Sequence, residues 1–314
     1  MCGIMGIAGR TNNIPAVIDG LRALEYRGYD SVGLAWIEEN SIAVKRVVGR
    51  VDKMAAEMDP SIQACTALGH TRWATHGGVT EHNAHPHCDP SGRIAVVHNG
   101  IIDNYDELKN ELLAEGAVFS SDTDTEVIAH LLARAYKGDL VATVESVIPR
   151  LVGVYALGIL AADQPHLLVG VRKGSPLTIG LGDGVNMLAS DVVPFLSHTR
   201  QACYLDDGQI AVLTSEGCEV RENGKPVTPK ITTIEWSAEA TSKDGYDHYM
   251  LKEIYEQPKA LKNLIESRLS LPEKGLPEIS VPVKIFPTQP WIMSGVSYCS
   301  PMELPTTRQW SAGC

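Results

Sequence analysis

Apolar residues recur along most of the chain at spacings typical of strands or helices. Residues 2–8 are small and apolar and predict a buried strand. Residues 14–24 carry apolar side chains at helical spacing, and the Tyr-Arg-Gly-Tyr sequence at 26–29 ends that run. The N-terminal segment is therefore expected inside the fold.

A second apolar run, Ile94–Val97, predicts a central strand that leads into His98, Asn99 and Gly100. Asn-Gly pairs are typical of tight turns. We therefore expect the strand to end in a sharp turn at this pair, with a functional loop at its end.

Two more helices are predicted by capping residues that precede helical periodicity. Asp103 or Asn104 caps a run that continues to Leu113, and Ser-Asp-Thr-Asp at 121–124 precedes a helix with apolar residues at 127, 128, 131 and 132. Short apolar runs from Tyr155 to Trp236, separated by Gly, Asp and Ser, predict a half rich in strands. Together these patterns predict a layered α+β fold.

Composition narrows the class of protein. A net charge of -11 over 314 residues and a pI of about 5.4 argue against nucleic-acid binding, which usually needs a basic face. The seven cysteines form no CxxC pair, as expected in a reducing compartment. The start of the chain lacks the pattern of a signal peptide, and no window has the length of a membrane span. A cytoplasmic protein without a membrane partner is expected.

Cys2 directly follows the initiator methionine, and its removal would expose Cys2 as the first residue. A free α-amine with a pKa of about 8 can take the proton of a thiol whose ordinary pKa is about 8.5. Cys2 would then be an activated nucleophile that needs no separate histidine. Taken alone, a buried structural cysteine is the more frequent alternative.

Six motifs decide between these alternatives. MCGIMG, LEYRGYDSVG, GHTRWATHG, NAHPH, VVHNGIIDN and SDTDTEV occur in an order and spacing that resemble class II, N-terminal-nucleophile (Ntn) glutamine amidotransferases. The later motifs RKGSPL and HYMLKEIYEQP are similar to the glutaminase half of glutamine–fructose-6-phosphate aminotransferases, and favour these over amidophosphoribosyltransferases. The resemblance extends to about residue 267.

The resemblance implies a four-layer αββα sandwich and hydrolysis of L-glutamine to glutamate and ammonia through a thioester on Cys2. It implies a glutaminase domain over residues 2–240 and an interdomain linker over 241–270. It implies no cofactor. The alternatives are a glutaminase domain from another pathway, such as amidophosphoribosyl transfer, and a non-catalytic truncated product.

The same resemblance assigns substrate contacts. The planar fork of Arg72 suits the α-carboxylate of glutamine, and Asp124 matches the residue that holds the α-ammonium group. On sequence alone, Asp124 is about as well explained as a helix cap. The resemblance also implies substrate-binding roles for Arg27, Trp73, Thr75 and His76. Arg27 would help to order the surroundings of the nucleophile. Trp73 would form one wall of the pocket, Thr75 would supply a hydroxyl group, and His76 belongs to the same loop. A structural, hydrogen-bonded histidine remains an equal alternative for His76.

By the family pattern, the side-chain amide of Asn99 and the backbone N–H of Gly100 stabilise the oxyanion that forms when Cys2 attacks the amide. His82, His85, His87 and Cys88 lie close together in sequence but match no common zinc spacing. A structural role is expected for them, and no metal site.

The C-terminal segment differs in composition, since 7 of the 18 prolines lie in residues 271–314 without apolar periodicity. Back-translation of residues 303–314 in a shifted frame permits Thr-Ser-Tyr-His, similar to the start of the family's isomerase domain. We interpret this tail as an out-of-frame remnant in place of that domain. Fructose 6-phosphate would be a substrate only if the isomerase domain were supplied. The family is homodimeric, and the oligomeric state of this chain stays open.

Overall fold

The computed structural model describes residues 2–235, 245–247, 249–270 and 278–279. The chain divides into two compact units, residues 1–244 and 245–314. The predicted Pro-rich tail, residues 271–314, lies outside the described residues except for Glu278 and Ile279. The predicted domain boundaries at 240 and 270 stay predictions.

Fifteen strands and five α-helices are described in the first unit. The strands are β1 (Gly3–Gly9), β2 (Ser31–Glu38), β3 (Ser41–Val48), β4 (Thr66–Arg72), β5 (His87–Cys88), β6 (Ile94–Ile102), β7 (Gly153–Ala161), β8 (Leu168–Lys173), β9 (Thr178–Gly182), β10 (Val185–Ala189), β11 (Gln201–Tyr204), β12 (Gln209–Leu213), β13 (Cys218–Glu222), β14 (Lys225–Val227) and β15 (Ile231–Thr233). The helices are α1 (Ile14–Ala23), α2 (Val51–Glu57), α3 (Tyr105–Ala114), α4 (Thr125–Ala135) and α5 (Leu140–Val147), with short 3₁₀ turns at Ile148–Arg150 and Val193–Phe195.

The strands form two antiparallel sheets. An eight-stranded sheet has the order β15-β11-β9-β10-β1-β4-β2-β3, and a seven-stranded sheet has the order β14-β13-β12-β8-β7-β6-β5. Strand β1 is central in the first sheet, with Met5 opposite Gly69 of β4 and Ala189 of β10. Strand β6 pairs along its whole length with β7 in the second. The predicted N-terminal strand and its buried position are confirmed.

Alternating side chains along the central strands create three apolar layers. Ile4 and Ala8 of β1 pack with Ala95 and Val97 of β6 between the sheets. Met5 belongs instead to a cluster formed with the apolar residues of α1 and α2. On the far side, residues of β6 and β7 pack against α3, α4 and α5. This order of helices, sheet, sheet and helices confirms the predicted αββα sandwich.

The turn predicted at Asn99 and Gly100 is wrong. Strand β6 continues through both residues to Ile102, with Asn99 opposite Ala156 and Gly100 opposite Tyr155. Gly100 has φ +135, and a Cβ there would lie 1.9 Å from the carbonyl oxygen of Val154. The close approach of β7 and the left-handed backbone, not a turn, explain why glycine occupies this position.

The predicted capping bond of α3 is also wrong. Asn104 occupies the N-cap position, but its side chain makes no capping bond. Its Nδ2 donates to the carbonyl of Arg150 at 3.0 Å, and its Oδ1 accepts from the backbone N–H of Val152 at 3.0 Å. The side chain therefore joins the start of the helix to the segment that leads into β7.

The second unit contains α6 (Tyr249–Arg268), with Pro258 inside it, and a short hairpin of β16 (Leu269–Ser270) and β17 (Glu278–Ile279). Within the described residues, no helix combines the length and apolar composition that crossing a membrane requires.

Candidate active site

A cavity of about 280 Å³ in the first unit is lined by every residue predicted for the site. These are Cys2, Arg27, Arg72, Trp73, Thr75, His76, Asn99, Gly100 and Asp124. Cys2 directly precedes β1, Arg72 ends β4, Asn99 and Gly100 lie within β6, and Asp124 precedes α4. The two sheets and one helix start therefore bring together residues that are up to 122 positions apart in the sequence.

Cys2 is held by contacts to both its side chain and its backbone. Its Sγ accepts a hydrogen bond from the backbone N–H of Trp73 at 3.2 Å. Its carbonyl oxygen accepts from Arg27 Nε at 3.0 Å and from Asn99 Nδ2 at 3.1 Å. Burial raises the pKa of the Cys2 thiol, while the Trp73 N–H and the charges of Arg72 and Arg27 oppose that increase. The role predicted for Arg27 stays a prediction.

The Arg72 guanidinium contacts the loop that follows β4. Its terminal nitrogens donate to the carbonyl oxygen of Gly78 at 3.1 Å and to that of His76. The residue is only 3% exposed, and burial lowers its pKa. Because guanidinium has five N–H donors, the loop leaves donors that can bind a ligand in the cavity.

Asp124 occupies the N-cap position of α4, but its carboxylate makes no capping bond. Its Oδ2 accepts the backbone N–H of Ile102 at 2.9 Å, and its Oδ1 lies 3.8 Å from Nδ1 of His98. The helix-cap alternative is therefore wrong as an account of this side chain. A buried carboxylate that lines the cavity remains available to a cationic group.

The Asn99 amide is bonded at both ends. Its Nδ2 donates to Ser190 Oγ at 2.8 Å as well as to the Cys2 carbonyl, and its Oδ1 lies 2.9 Å from His70 Nε2. Ser190 Oγ also accepts from the backbone N–H of Ile4 at 2.8 Å. The amide nitrogen is thus directed towards the nucleophile and the amide oxygen away from it.

The loop after β4 contributes the other three predicted residues. Trp73 is 46% exposed, and its ring meets the Tyr29 ring edge-on at 5.8 Å between centroids. The His76 ring packs edge-on against Tyr105, with 5.5 Å between centroids. Thr75 is exposed at the cavity. These side chains lie at the wall of the cavity and not in the core.

The histidines at positions 82, 85 and 87 differ in burial. His82 is exposed, whereas His85 and His87 are buried, and the His85 ring lies beside those of His70, His87 and His98. Burial lowers the pKa of His70 and of His87 to about 3 in each case, so both are neutral at physiological pH. Among the residues that the structure describes, no group of three or more His, Cys, Asp or Glu side chains is arranged to hold a metal ion.

Sequence reasoning missed several lining residues, which are His85, His98, Ile101, Thr123, Ser175 and Pro176. Ser175 and Pro176 come from the connection between β8 and β9, where Arg172 Nε donates to the Ser175 carbonyl at 3.2 Å and Asp207 accepts the Gly174 N–H at 2.7 Å. They belong to the RKGSPL motif, which was a signal of family but carried no assignment to the site.

Comparison with protein families defines the class first. Residues 70–197 match the family model described as "Glutamine amidotransferase domain". The fold agrees, because glutamine phosphoribosylpyrophosphate amidotransferase from B. subtilis superposes with a TM-score of 0.62 at 24% identity, covering 71% of this chain and 49% of that one. A structure titled as the allosteric regulatory enzyme of purine biosynthesis gives the same TM-score and coverage at 26% identity. The chain therefore carries a glutamine amidotransferase domain.

Curated relatives show which glutamine amidotransferases this chain is similar to over most of its length. Glutamine–fructose-6-phosphate aminotransferase from Aquifex aeolicus is 47% identical over 272 residues, which is 86% of this chain and 46% of that protein. The enzyme of the same name from Thermus thermophilus is 45% identical over 283 residues, 90% of this chain and 46% of that protein. The chain spans about half the length of the curated relatives that it matches. The resemblance predicted from the motifs, including the preference for this enzyme over amidophosphoribosyltransferases, is confirmed.

Proposed function

We propose that this chain hydrolyses L-glutamine to glutamate and ammonia, with Cys2 as the N-terminal nucleophile. One observation carries the proposal. A single cavity holds the Cys2 thiol, two groups that can donate to an oxyanion, the buried carboxylate of Asp124 and two buried guanidinium groups, of which Arg27 bonds the Cys2 carbonyl and Arg72 has donors left for a ligand. Free glutamine has the matching features: an amide to be attacked, an α-carboxylate and an α-ammonium group.

The two charged residues select the free amino acid. Arg72 provides N–H donors for the α-carboxylate, and Asp124 provides a carboxylate for the α-ammonium group. A glutamine within a polypeptide lacks both charges, so both buried groups would lose their partners. Trp73, Thr75 and His76 line the same cavity as Arg72 and Asp124, where we expect them to contact the bound amino acid.

The reaction begins at the Cys2 sulfur. After removal of Met1, the α-amine of Cys2 takes the thiol proton, and the sulfur attacks the amide carbon of glutamine. The backbone N–H of Trp73, 3.2 Å from Sγ, stabilises the developing thiolate. Arg27 holds the Cys2 carbonyl at 3.0 Å and so fixes the direction of the nucleophile.

The tetrahedral intermediate carries its negative charge on the former amide oxygen. We assign two donors in the cavity lining to this charge, the Asn99 Nδ2–H that now bonds the Cys2 carbonyl and the backbone N–H of Gly100. Collapse breaks the C–N bond, and the nitrogen leaves as ammonia after taking the proton held by the α-amine. Water then attacks the γ-glutamyl thioester, which releases glutamate and restores the thiol.

The test measures glutamate and ammonia from purified protein given L-glutamine. We expect the two products in equal amounts from the wild type and none from Cys2→Ala. Asn99→Asp, which keeps the side-chain shape but loses the amide donor, should bind glutamine and turn it over at least about 10²-fold more slowly. An active Cys2→Ala protein would overturn the proposal.

The wider role follows from the relatives. We infer that the ammonia supplies glucosamine 6-phosphate synthesis from fructose 6-phosphate in a cytoplasmic homodimer, with the acceptor site in the half of the relatives that this chain does not match. This chain alone should therefore release ammonia and form no amino sugar when fructose 6-phosphate is added. The charge of -11 supports the expectation that nucleic acid is not a partner. An amidophosphoribosyltransferase role is disfavoured by the sequence comparisons, although that fold is shared.

A further inference from the structure

The Asn99 side-chain amide is useful as an oxyanion donor only if its nitrogen, and not its oxygen, faces Cys2. The two orientations have nearly the same shape, so packing alone does not select between them. The Cys2 carbonyl oxygen, which can only accept and lies 3.1 Å from Nδ2, favours the nitrogen on the near side, and a hydrogen-bond donor on the far side of the amide reinforces that choice. The group in contact with that far side is the imidazole of His70, which is fully buried.

The surroundings of His70 determine which of its ring nitrogens carries the proton. Nε2 lies 3.0 Å from the backbone carbonyl oxygen of His98, which can only accept a hydrogen bond. It also lies 3.3 Å from His85 Nδ1, which itself accepts the His98 backbone N–H at 3.4 Å. Because both neighbours are acceptors, His70 Nε2 must be the protonated nitrogen of the neutral ring.

The other nitrogen of His70 supports the same tautomer. Nδ1 is buried without a hydrogen-bond partner. An unbonded lone pair costs less than an unbonded N–H donor that faces no acceptor. Burial also holds the pKa of His70 at about 3, so the ring has one N–H and not two at physiological pH.

We propose that His70 is a positioning residue for the oxyanion site, whose Nε2–H fixes the Asn99 amide with its oxygen inwards and its nitrogen towards Cys2. The atom of Asn99 that lies 2.9 Å from Nε2 must be an acceptor, which is Oδ1. Nδ2 is then directed to the Cys2 carbonyl at 3.1 Å and to Ser190 Oγ at 2.8 Å. His70 acts through Asn99 and does not itself line the cavity. This inference rests on the glutaminase activity proposed above.

The consequence is a defect in turnover without a defect in glutamine binding. If the Nε2–H is lost, the buried Oδ1 of Asn99 loses its donor, so the amide is held only from its nitrogen end and its nitrogen is directed less firmly at the developing oxyanion. The clamp formed by Arg72 and Asp124 does not depend on this hydrogen bond. Ground-state binding should therefore be retained.

His70→Leu removes the donor with similar volume, and His70→Gln restores an N–H near the Nε2 position. We expect kcat for glutamine hydrolysis to fall about 10²-fold in His70→Leu with KM changed less than about threefold, and His70→Gln to recover most of the loss. His130→Leu is the matched control, since it removes a buried histidine that packs on Phe119 and contacts neither Cys2 nor Asn99. It should keep the wild-type kcat.

Two binding measurements separate positioning from collapse of the pocket. The γ-aldehyde analogue of glutamine forms a tetrahedral adduct with a thiol, so its affinity should fall in His70→Leu by the same factor as kcat. Affinity for the product glutamate should be unchanged. Equal losses for both ligands, or wild-type turnover in His70→Leu, would overturn the proposal. A wild type that does not hydrolyse glutamine would instead contradict the proposed function itself.

The tautomer can be measured in the wild-type protein, which does not depend on any variant folding. Long-range ¹H–¹⁵N correlation spectra of protein labelled on the histidine rings report which nitrogen carries the proton. We expect the Nε2–H form for His70, assigned by its loss in His70→Gln. An Nδ1–H ring would reverse the hydrogen-bond pattern and refute the proposal.

Discussion

The carboxylate of Asp124 accepts the backbone N–H of Ile102 at 2.9 Å, so the residue at the N-cap position of α4 bonds a strand instead of capping its own helix. This contact fixes the carboxylate at the cavity. Asp124→Asn keeps an oxygen for Ile102 but loses the charge. We expect KM for glutamine to rise about 10- to 100-fold, since a hydrogen bond to a charged group contributes about 1.5–3 kcal/mol. The melting temperature should change little, and steady-state kinetics with an unchanged KM would contradict the clamp.

Substitution of Gly100 tests whether strand β6 can accept a side chain at this position. In Gly100→Ala a Cβ would lie 1.9 Å from the Val154 carbonyl oxygen, at a φ of +135 that L-residues rarely adopt. We expect a loss of at least about 2 kcal/mol in the free energy of unfolding, together with loss of turnover. Gly217→Ala is the control, because nothing lies within 4 Å of its added Cβ. Denaturant titration of both variants makes the comparison, and equal stability would show that β7 moves to accommodate a side chain.

The environment of Glu126 predicts how the free energy of unfolding depends on pH. Burial raises the pKa of its carboxyl, but the neighbouring His130 ring and hydrogen bonds from Ser120 and Ser121 outweigh burial and hold the pKa well below its ordinary value. A carboxyl whose folded pKa is depressed stabilises the fold above its unfolded pKa of about 4.3, and this contribution is lost as pH falls towards the folded pKa.

Glu126→Gln should therefore be less stable than the wild type at neutral pH, and the difference should shrink as pH falls below about 4.3. Chemical denaturation at a series of pH values measures it. A constant difference across that range would mean that the charge of Glu126 contributes nothing. Glu222→Gln, at a carboxyl at the end of strand β13, is a suitable control.

The sequence predicted those parts of the fold in which local pattern and tertiary position agree. Strand β1 and helix α1 have continuous or periodic apolar residues, and both were predicted within two residues of their bounds. Asn99 and Gly100 were wrongly predicted as a turn because pairing with β7 overrides the local preference of Asn-Gly. No local signal distinguishes a glycine that permits a turn from one that permits a close strand.

The predicted site residues were found through the family motifs. The lining residues that were missed come from segments that meet only in the folded protein, which the sequence does not show. Ser175 and Pro176 reach the cavity only because β8 and β9 lie in different sheets. His85 was grouped with its sequence neighbour His82, yet the structure buries it beside His70 and His98. The roles assigned to the lining residues stay predictions that the kinetic variants test.

Substitution of the other cysteines tests whether Cys2 is the only thiol that takes part in the reaction. Cys203 is 2% exposed and packs between the sheets, and burial raises the pKa of Cys88 to about 11. We expect Cys203→Ala and Cys88→Ala to keep kcat within about twofold while losing about 1 kcal/mol of stability each. Rates of glutamine hydrolysis and urea midpoints measure the two effects. A large fall in kcat for either variant, with the fold intact, would place a second thiol in the reaction.

The central claim is that the α-amine of Cys2 is the base for its own thiol, and one comparison tests it most directly. Protein that begins at Cys2 and protein that retains Met1 are prepared with the same sequence thereafter, verified by intact mass, and assayed for glutamate production from L-glutamine. We predict turnover only in the protein that begins at Cys2, because an amide nitrogen cannot accept the thiol proton. Equal rates in the two proteins would contradict the account.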